Sequence, residues 1–83
     1  IGSGEMVDLT HELRSWTNIP IIAQPNAGSP TVKGGETVYE QSPEEFAEDI
    51  LRIVEAGANV VGGCCGTTPR FIQEAGQHLF NRR

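Results

Sequence analysis

The segment Ser42–Gly62 reads SPEEFAEDILRIVEAGANVVG, and it predicts a helix that leads directly into a short strand. Ser42 is a favourable N-cap, Pro43 suits the first helical position, and Glu45 completes a capping box. Gly57 suits the end of the helix, because glycine readily adopts the left-handed backbone found there. The predicted buried stripe consists of Phe46, Ala47, Ile50, Leu51 and Val54.

Two short apolar runs are predicted to be strands. One is Ala58–Gly62, directly after the helix, and the other is Ile19–Gln24, which precedes a cluster of turn residues. Neither run alternates with polar residues, which is typical of strands buried on both faces of a parallel sheet. Pro20 suits the first residue of such a strand. We therefore expect two parallel strands joined through the helix between them.

Two further helices flank these strands. The first is predicted over residues 5–17 with Ser3 as its N-cap. Its apolar face is predicted to consist of Met6, Leu9, Leu13 and Trp16, with Trp16 packed at the helix end. The second begins at Pro69, after Thr68 as its cap. Its apolar face is predicted to consist of Phe71, Ile72, Ala75 and Leu79, and Arg82 and Arg83 suit its C-terminus.

The connection from 25 to 41 is long for a compact domain, and long ordered loops are often functional. Thr31-Val32 and Thr37-Val38-Tyr39 flank Lys33-Gly34-Gly35-Glu36 and predict a small β-hairpin. No role is assigned to the loop at 29–41. A lid over a site has no support from the residues themselves.

The order of elements predicts an α/β chain with a parallel sheet. Two strands are too few for a closed or well-covered parallel sheet. A (β/α)8 TIM barrel of roughly 250 residues would contain such a chain as about a third of its length, and its active site would lie where strands end. Those positions here are Gln24–Gly28 and Gly62–Thr68. The first residues contain no initiator Met, which suggests a piece of a longer protein.

Composition excludes several classes of protein. The chain has 83 residues and a net charge of −5, with six basic and eleven acidic residues, which argues against a nucleic-acid surface. Its apolar runs are far shorter than the roughly 18 residues of a membrane span. His11 and His78, and the acidic residues Glu44, Glu45, Glu48 and Asp49, are expected to be solvated.

The adjacent pair Cys64-Cys65 is the sharpest chemical feature. Two adjacent cysteines do not make a disulfide framework, so a reducing, cytoplasmic setting fits better. Both thiols can reach one metal only where the backbone turns sharply, and Gly62, Gly63 and Gly66 allow such a turn. A catalytic zinc site usually has three protein ligands. Two buried structural cysteines remain the alternative.

The segment Pro25-Asn-Ala-Gly28 lies at the second strand end. Asn26 is either a turn residue that bonds its own backbone or a functional side chain. A further alternative is a phosphate cradle at the glycine-rich turn, formed by Thr67, Thr68 and backbone N–H groups.

Gly62-Gly-Cys-Cys-Gly-Thr-Thr-Pro69 resembles the zinc motif of the homocysteine S-methyltransferase family. Pro25-Asn-Ala-Gly28 resembles the matching segment of the homocysteine-binding domain in the cobalamin-dependent branch, which forms methionine. The resemblance covers essentially the whole chain. It implies that residues 1–83 are the C-terminal part of a (β/α)8 barrel, with Ile19–Gln24 as its seventh strand and Ala58–Gly62 as its eighth. The rest of the barrel would lie outside the chain.

The resemblance also implies the site. Family members bind zinc through three cysteines, of which two match Cys64 and Cys65. The third would lie just before residue 1 and is absent here. Asn26 is the candidate for a displaceable fourth ligand or a homocysteine contact, and Gly28 would let substrate approach the backbone. No catalytic residue beyond the metal site is implied. Zinc binding by the 83 residues alone is expected to be weak or absent.

The implied reaction is methylation of homocysteine, activated as a thiolate on zinc. The implied donor is methylcobalamin, recharged from methyltetrahydrofolate by cobalamin and folate domains of the same protein. The alternatives are a homocysteine methyltransferase that uses S-methylmethionine, a bifunctional reductase–methyltransferase, and a small self-contained metal-binding module. The chain alone is expected to be inactive, and either marginally stable or self-associating through exposed strand edges.

Overall fold

The computed structural model describes residues 1–28, 30–39 and 41–81, with the backbone alone at Pro30. Arg82 and Arg83, which are predicted to suit the C-terminus of the last helix, lie outside the described residues. The elements in chain order are α1 (Ser3–Trp16), β1 (Ile22–Ala23), β2 (Pro30–Lys33), β3 (Glu36–Tyr39), α2 (Pro43–Ala56), β4 (Val60–Val61) and α3 (Pro69–Asn81).

Strands β1 and β4 form a parallel pair, as the order of elements predicts. Ile22 pairs with Val60 and Ala23 with Val61, and α2 is the crossover between the two strands. Only these central residues pair, so both strands are shorter than predicted. Gly2 makes an isolated parallel bridge to Asn26, and the Asn26 N–H donates to the Ile1 carbonyl at 2.9 Å.

The core lies between this small sheet and the helices. It is centred on α2, with Phe46, Ile50 and Ile53 essentially inaccessible to solvent. Phe71 of α3 packs edge-on against Phe46 at 5.5 Å between ring centroids. Ile53 is a core residue that the predicted stripe omitted; the predicted Leu51 and Val54 are half-buried.

The face of the β1–β4 sheet opposite the core is open to solvent. The prediction of strands buried on both faces is therefore wrong for this chain. Ile21 and Ala23 are buried, whereas the paired residues Ile22 and Val60 are 66% and 53% exposed. The molecule is correspondingly flat, measuring 44 × 27 × 14 Å. The architecture is therefore mixed α/β, with three helices, one parallel pair and one antiparallel hairpin among the described residues.

Helix α2 begins as its sequence predicts. The Ser42 hydroxyl accepts from the Glu45 N–H at 3.1 Å, and the Glu45 carboxylate accepts from the Ser42 N–H at 3.2 Å. Gly57 ends the helix with φ of +124°. Each of these interactions joins residues close in sequence, which is why the sequence predicts both helix ends.

Helix α1 packs with a different face from the predicted one. Leu9, Leu13 and Trp16 are 42%, 44% and 79% exposed, while Ser3 and Thr10 are buried. Thr10 is buried without an unpaired hydroxyl because it donates to the Met6 carbonyl at 2.7 Å. The prediction that Trp16 packs at the helix end is wrong, since its indole N–H bonds only the nearby Glu12 carboxylate, at 3.0 Å.

Ser3 is the first residue of α1 rather than its N-cap, because Gly2 occupies that position without a side-chain bond. The Ser3 hydroxyl lies 2.8 Å from both Gln41 Oε1 and Asp49 Oδ2. Gln41 also donates to Asp49 Oδ2 at 2.9 Å. The sequence predicts that Asp49 is solvated at the start of α2, and this prediction is wrong. The Asp49 side chain instead joins α1, α2 and the end of the loop.

Helix α3 begins at Pro69 as predicted, and Ala75 is its buried residue. Phe71 and Leu79 are half-buried, but Ile72 is 48% exposed, so its predicted burial is wrong. In the part of the chain that the structure describes, no helix is both long and apolar enough to cross a membrane.

The predicted hairpin forms as β2–β3, and its strands extend to Lys33 and Glu36, so that only Gly34 and Gly35 lie between them. Lys33 pairs with Glu36 and Pro30 with Tyr39. Gly34 and Gly35 have φ of +59° and +83°, which the tight turn requires.

Candidate functional site

The loops that follow β1 and β4 lie side by side, because parallel strands end at the same edge of a sheet. The Cys64 N–H donates to the Pro25 carbonyl at 3.0 Å, and the Ala27 N–H donates to the Cys65 carbonyl at 3.0 Å. Two backbone hydrogen bonds therefore join the two segments that the sequence singled out. The two loops therefore form one structural unit. We call residues 62–68 the cysteine turn.

Cys64 and Cys65 are free thiols, and both are exposed. Their side chains are therefore available for chemistry, and the alternative of two buried structural cysteines is wrong. A reactive or metal-binding thiol needs this access, because the thiolate is both the nucleophile and the ligand.

Asn26 lies half-buried against the cysteine turn. Its side-chain oxygen accepts from the backbone N–H of Cys65 at 3.1 Å. The alternative that Asn26 bonds its own local backbone is therefore not what this side chain does. It ties the loop after β1 to the backbone of Cys65, which places its amide group beside the cysteine pair.

The glycines of the turn allow close approaches that larger residues would block. A Cβ on Gly63 would lie 2.6 to 2.8 Å from the side chain of Thr67. Thr67 in turn donates its hydroxyl to the Cys64 carbonyl at 2.6 Å, which closes the turn. Gly28 has φ of +82°, and a Cβ there would press on Gln41 at 3.3 Å. Gly62 makes only ordinary contact with Gln24, at 3.7 Å.

Tyr39 is a site residue that the sequence analysis missed. Its ring lies over Gly66, where a Cβ would come within 2.8 Å of Cδ2. Partial burial raises the pKa of the Tyr39 hydroxyl, and the charge of Cys65, a hydrogen bond with Cys65 and the charge of Cys64 raise it further. The available signal was weak: Tyr39 is the one tyrosine of the chain and ends a predicted strand of the hairpin.

Three of the N–H groups that a phosphate cradle at the glycine-rich turn would use are already engaged. The N–H groups of Cys64, Cys65 and Thr67 already donate to the Pro25 carbonyl, Asn26 and the Cys64 carbonyl, respectively. A bound phosphate would have to displace these bonds. The phosphate alternative is therefore not supported.

The donor set suits zinc in kind but not in number. Cysteine thiolates are preferred zinc ligands, and a catalytic site usually takes three protein ligands. Across residues 1–28, 30–39 and 41–81, no group of three or more His, Cys, Asp or Glu side chains is placed to hold a metal ion. Cys64 and Cys65 can supply two thiolates, and the described residues do not complete the set.

Comparison with known proteins identifies the family. The sequence profile described as homocysteine S-methyltransferase matches residues 3–79. A methionine synthase of Mycobacterium tuberculosis is 38% identical over 81 residues, which is 96% of this chain and 7% of that protein. A methionine synthase of Mycobacterium leprae is 40% identical over 74 residues, which is 88% of this chain and 6% of that protein. The chain thus spans only a small part of the relatives it matches. It belongs to the homocysteine S-methyltransferase family.

Proposed function

We propose that this chain is part of a zinc-dependent methyltransferase that activates homocysteine as a thiolate and methylates it to methionine. The observation that carries the proposal is the joined pair of loops, with two exposed thiols on one and Asn26 on the other. Family membership supplies the substrate class. Both relatives named above are called methionine synthase, which favours methionine as the product.

The proposed fold of the intact protein is a (β/α)8 barrel, with residues 1–83 as its C-terminal part. The open face of the β1–β4 pair supports this, because Ile22 and Val60 are the residue types that fill a barrel interior. The bridge from Gly2 to Asn26 supports a further parallel strand beside β1. In this proposal the remaining strands belong to a larger polypeptide.

Cys64 and Cys65 would hold zinc together with a third cysteine from outside the 83 residues. When bound, zinc would lower the pKa of the homocysteine thiol, so that the thiolate forms near neutral pH. Two residues of the chain, Asn26 and Thr67, hold the backbone of the cysteine turn. Asn26 holds the N–H of Cys65 and Thr67 holds the carbonyl of Cys64, so both thiols stay exposed on one turn.

Asn26 has a second proposed role as a displaceable ligand or a homocysteine contact. Its oxygen is occupied by the Cys65 N–H, whereas its amide N–H groups are the right donors for a substrate carboxylate. Gly28, with φ of +82°, is the proposed position at which substrate approaches the backbone. Beyond these residues and the metal site, no catalytic residue is proposed.

The proposed methyl donor is methylcobalamin, recharged from methyltetrahydrofolate on other domains of the same larger protein, in the cytoplasm. The alternatives are S-methylmethionine as donor or a bifunctional reductase–methyltransferase. The names of the two relatives favour the first proposal. The described residues do not favour a self-contained metal module, because they hold no group of three metal-binding side chains.

The test is zinc content and affinity, measured on the 83-residue chain and on the larger polypeptide, with and without homocysteine. We expect stoichiometric zinc only in the larger polypeptide, bound more tightly with homocysteine and lost in Cys64→Ser and Cys65→Ser. Ser15→Ala, on the outer side of α1, is the control and should keep its zinc. Tight zinc in the isolated chain that ignores homocysteine would contradict the proposal.

A further inference from the structure

The outer flank of α3 is an apolar surface that the proposed function leaves without a role. Ile72, Gly76 and Phe80 lie four residues apart, so they form one row along the helix. Ile72 and Phe80 are exposed, and nothing lies within 4 Å of the place that a Cβ of Gly76 would take. The row is turned by about 100° from the row of Phe71 and Ala75, which packs against the core.

The surface of α2 shows what a helix with two neighbours exposes in this fold. Helix α2 packs against both α1 and α3. Its exposed residues are all charged, and they are Glu44, Glu45, Glu48, Arg52 and Glu55. The two outer helices differ, because α3 exposes Ile72 and Phe80, and α1 exposes Leu9, Leu13 and Trp16. Apolar rows of this kind are typical of helix faces that pack against a partner.

A cavity of about 130 Å³ opens beside the same row, between α3 and β4. The residues that line it are apolar or glycine, and they include Val61, Ile72 and Gly76. In the part of the chain that the structure describes, β4 pairs with β1 alone, so the opposite edge of β4 is free. The lining offers no polar side chain to orient a small-molecule ligand, so an apolar segment of protein suits this place better.

Glycine at position 76 is not required by anything among residues 1–28, 30–39 and 41–81. Gly76 lies inside α3, where glycine is a poorer helix former than alanine. Its φ is not positive, and no neighbour fills the space of its missing Cβ. Glycine does allow another backbone to come close. At the middle of the row, it therefore suits the point of contact with a further helix.

We propose that Ile72, Gly76 and Phe80 form the docking surface for a further α-helix of the larger polypeptide, with Gly76 at the closest approach. This helix continues the layer of α1, α2 and α3, since a parallel sheet adds its crossover helices side by side. The two relatives have room for it, because this chain spans only 7% and 6% of their lengths. The proposal rests on the proposed larger barrel for the source of the helix.

The first experiment measures amide hydrogen exchange in α3 of the larger polypeptide by mass spectrometry, relative to the unfolded peptide. Leucine is a better helix former than glycine, so on a surface open to water Gly76→Leu should slow the exchange. Under a docked helix the leucine side chain has no room, and we expect Gly76→Leu to speed the exchange about tenfold or more. Gly76→Ala adds one methyl group and should fall between wild type and Gly76→Leu.

Gln77→Leu is the matched control. It places the same side chain on the next residue, which is exposed and turned by about 100° from Gly76. The amides of α3 should exchange at nearly the wild-type rate in this variant. Exchange in Gly76→Leu that is slower than in wild type, or equal to it, contradicts the proposed docking.

The second experiment needs no variant. Hydroxyl radicals oxidise accessible phenylalanine rings, and peptide mass spectrometry compares Phe80 with the half-buried Phe71 in the folded larger polypeptide. We expect Phe80 to be oxidised no faster than Phe71, because the docked helix covers its ring. Faster oxidation of Phe80, as its exposure in these 83 residues dictates, would overturn the proposal. Protection that is lost when dilution separates the polypeptide into monomers would also overturn it, because the partner would then be a second copy.

Neither measurement involves zinc or homocysteine, so the docking surface and the proposed function fail separately. A protected Phe80 in a polypeptide without homocysteine-dependent zinc contradicts the proposed function alone. A readily oxidised Phe80 in a polypeptide with such zinc contradicts the docking on α3 alone.

Discussion

At the scale of single residues, the cysteine turn depends on glycines whose neighbours come from distant parts of the chain. Gly66→Ala should destabilise the fold for two reasons: φ is +80°, and the new methyl group would overlap the Tyr39 ring. Gly35 has nearly the same φ, +83°, with nothing near its missing Cβ. Gly35→Ala therefore isolates the cost of the backbone alone.

We expect Gly35→Ala to lower the free energy of unfolding by about 1 kcal/mol, and Gly66→Ala to lower it by about 2–4 kcal/mol, because overpacking typically adds about 1–3 kcal/mol. Urea denaturation of the larger polypeptide measures both. In a Tyr39→Ala background the excess cost of Gly66→Ala should shrink, because the ring is gone, but part of it should persist, because the Cβ of residue 39 still lies 2.6 Å from the new methyl group. An equal cost of the two alanine substitutions in the wild-type background would contradict the packing of Tyr39 on Gly66.

A second prediction concerns Asn26. Asn26→Ala removes the acceptor for the Cys65 N–H, which should cost about 0.5–1.5 kcal/mol and weaken zinc binding in the larger polypeptide. Asn26→Asp keeps an oxygen at that position, so it should retain most of the stability. Thermal unfolding and zinc titration check the pair. If Asn26→Asp loses as much stability as Asn26→Ala, the hydrogen bond is not what Asn26 contributes.

At the scale of elements, Arg14 links both helix ends to both strands. Its guanidinium donates to the carbonyls of Gly57 at 2.6 and 3.1 Å, Thr17 at 3.2 Å and Ile19 at 3.1 Å. It also donates to Asn59 Oδ1 at 2.7 Å, and Asn59 Oδ1 accepts from the Ile21 N–H at 2.9 Å. One planar side chain therefore sets where α1 and α2 end relative to β1 and β4.

Arg14→Lys should consequently be almost as damaging as Arg14→Ala, because one ammonium group cannot reach several acceptors arranged around a plane. We expect each to cost about 1–3 kcal/mol. Arg52 is the matched control, since its side chain is 62% exposed and pairs only with Asp49, one turn away. Arg52→Lys should change stability by less than about 0.5 kcal/mol. Urea unfolding at fixed ionic strength compares the variants, and a full rescue by Arg14→Lys would contradict this role.

The same elements show how far the sequence could predict the structure. The capping box of Ser42 and Glu45, the Gly57 stop and the Gly34-Gly35 turn join near neighbours, so the local pattern predicted them. The packed face of α1 could not be read from hydrophobicity. It is set by contacts of Ser3, Thr10 and Arg14. Of these, Ser3 and Arg14 contact residues that lie 38 to 46 positions away in the sequence. Tyr39 was missed for the same reason, because its partner is Gly66.

At the scale of the whole molecule, the unfinished surface is the open face of the β1–β4 pair. Ile22 and Val60 lie next to each other across the sheet, and both are exposed. The isolated 83-residue chain also exposes Trp16 and Phe80, at 79% and 75%. Such a surface favours association, as do unpaired strand edges. We therefore expect the isolated chain to be marginally stable or to self-associate.

The double substitution Ile22→Thr with Val60→Thr should act with opposite sign in the two contexts. In the isolated chain it removes exposed apolar surface but keeps β-branched residues, so sedimentation velocity should show less association. In the larger polypeptide these positions would be covered by the proposed barrel interior, and two buried hydroxyls without partners would lower stability by about 2–6 kcal/mol. The control is Glu36→Thr, which introduces a threonine on the exposed hairpin instead. It should leave the association of the isolated chain and the stability of the larger polypeptide nearly unchanged. Equal stability of the double variant and wild type in the larger polypeptide would show that this face stays open to water, and the barrel proposal would then fail.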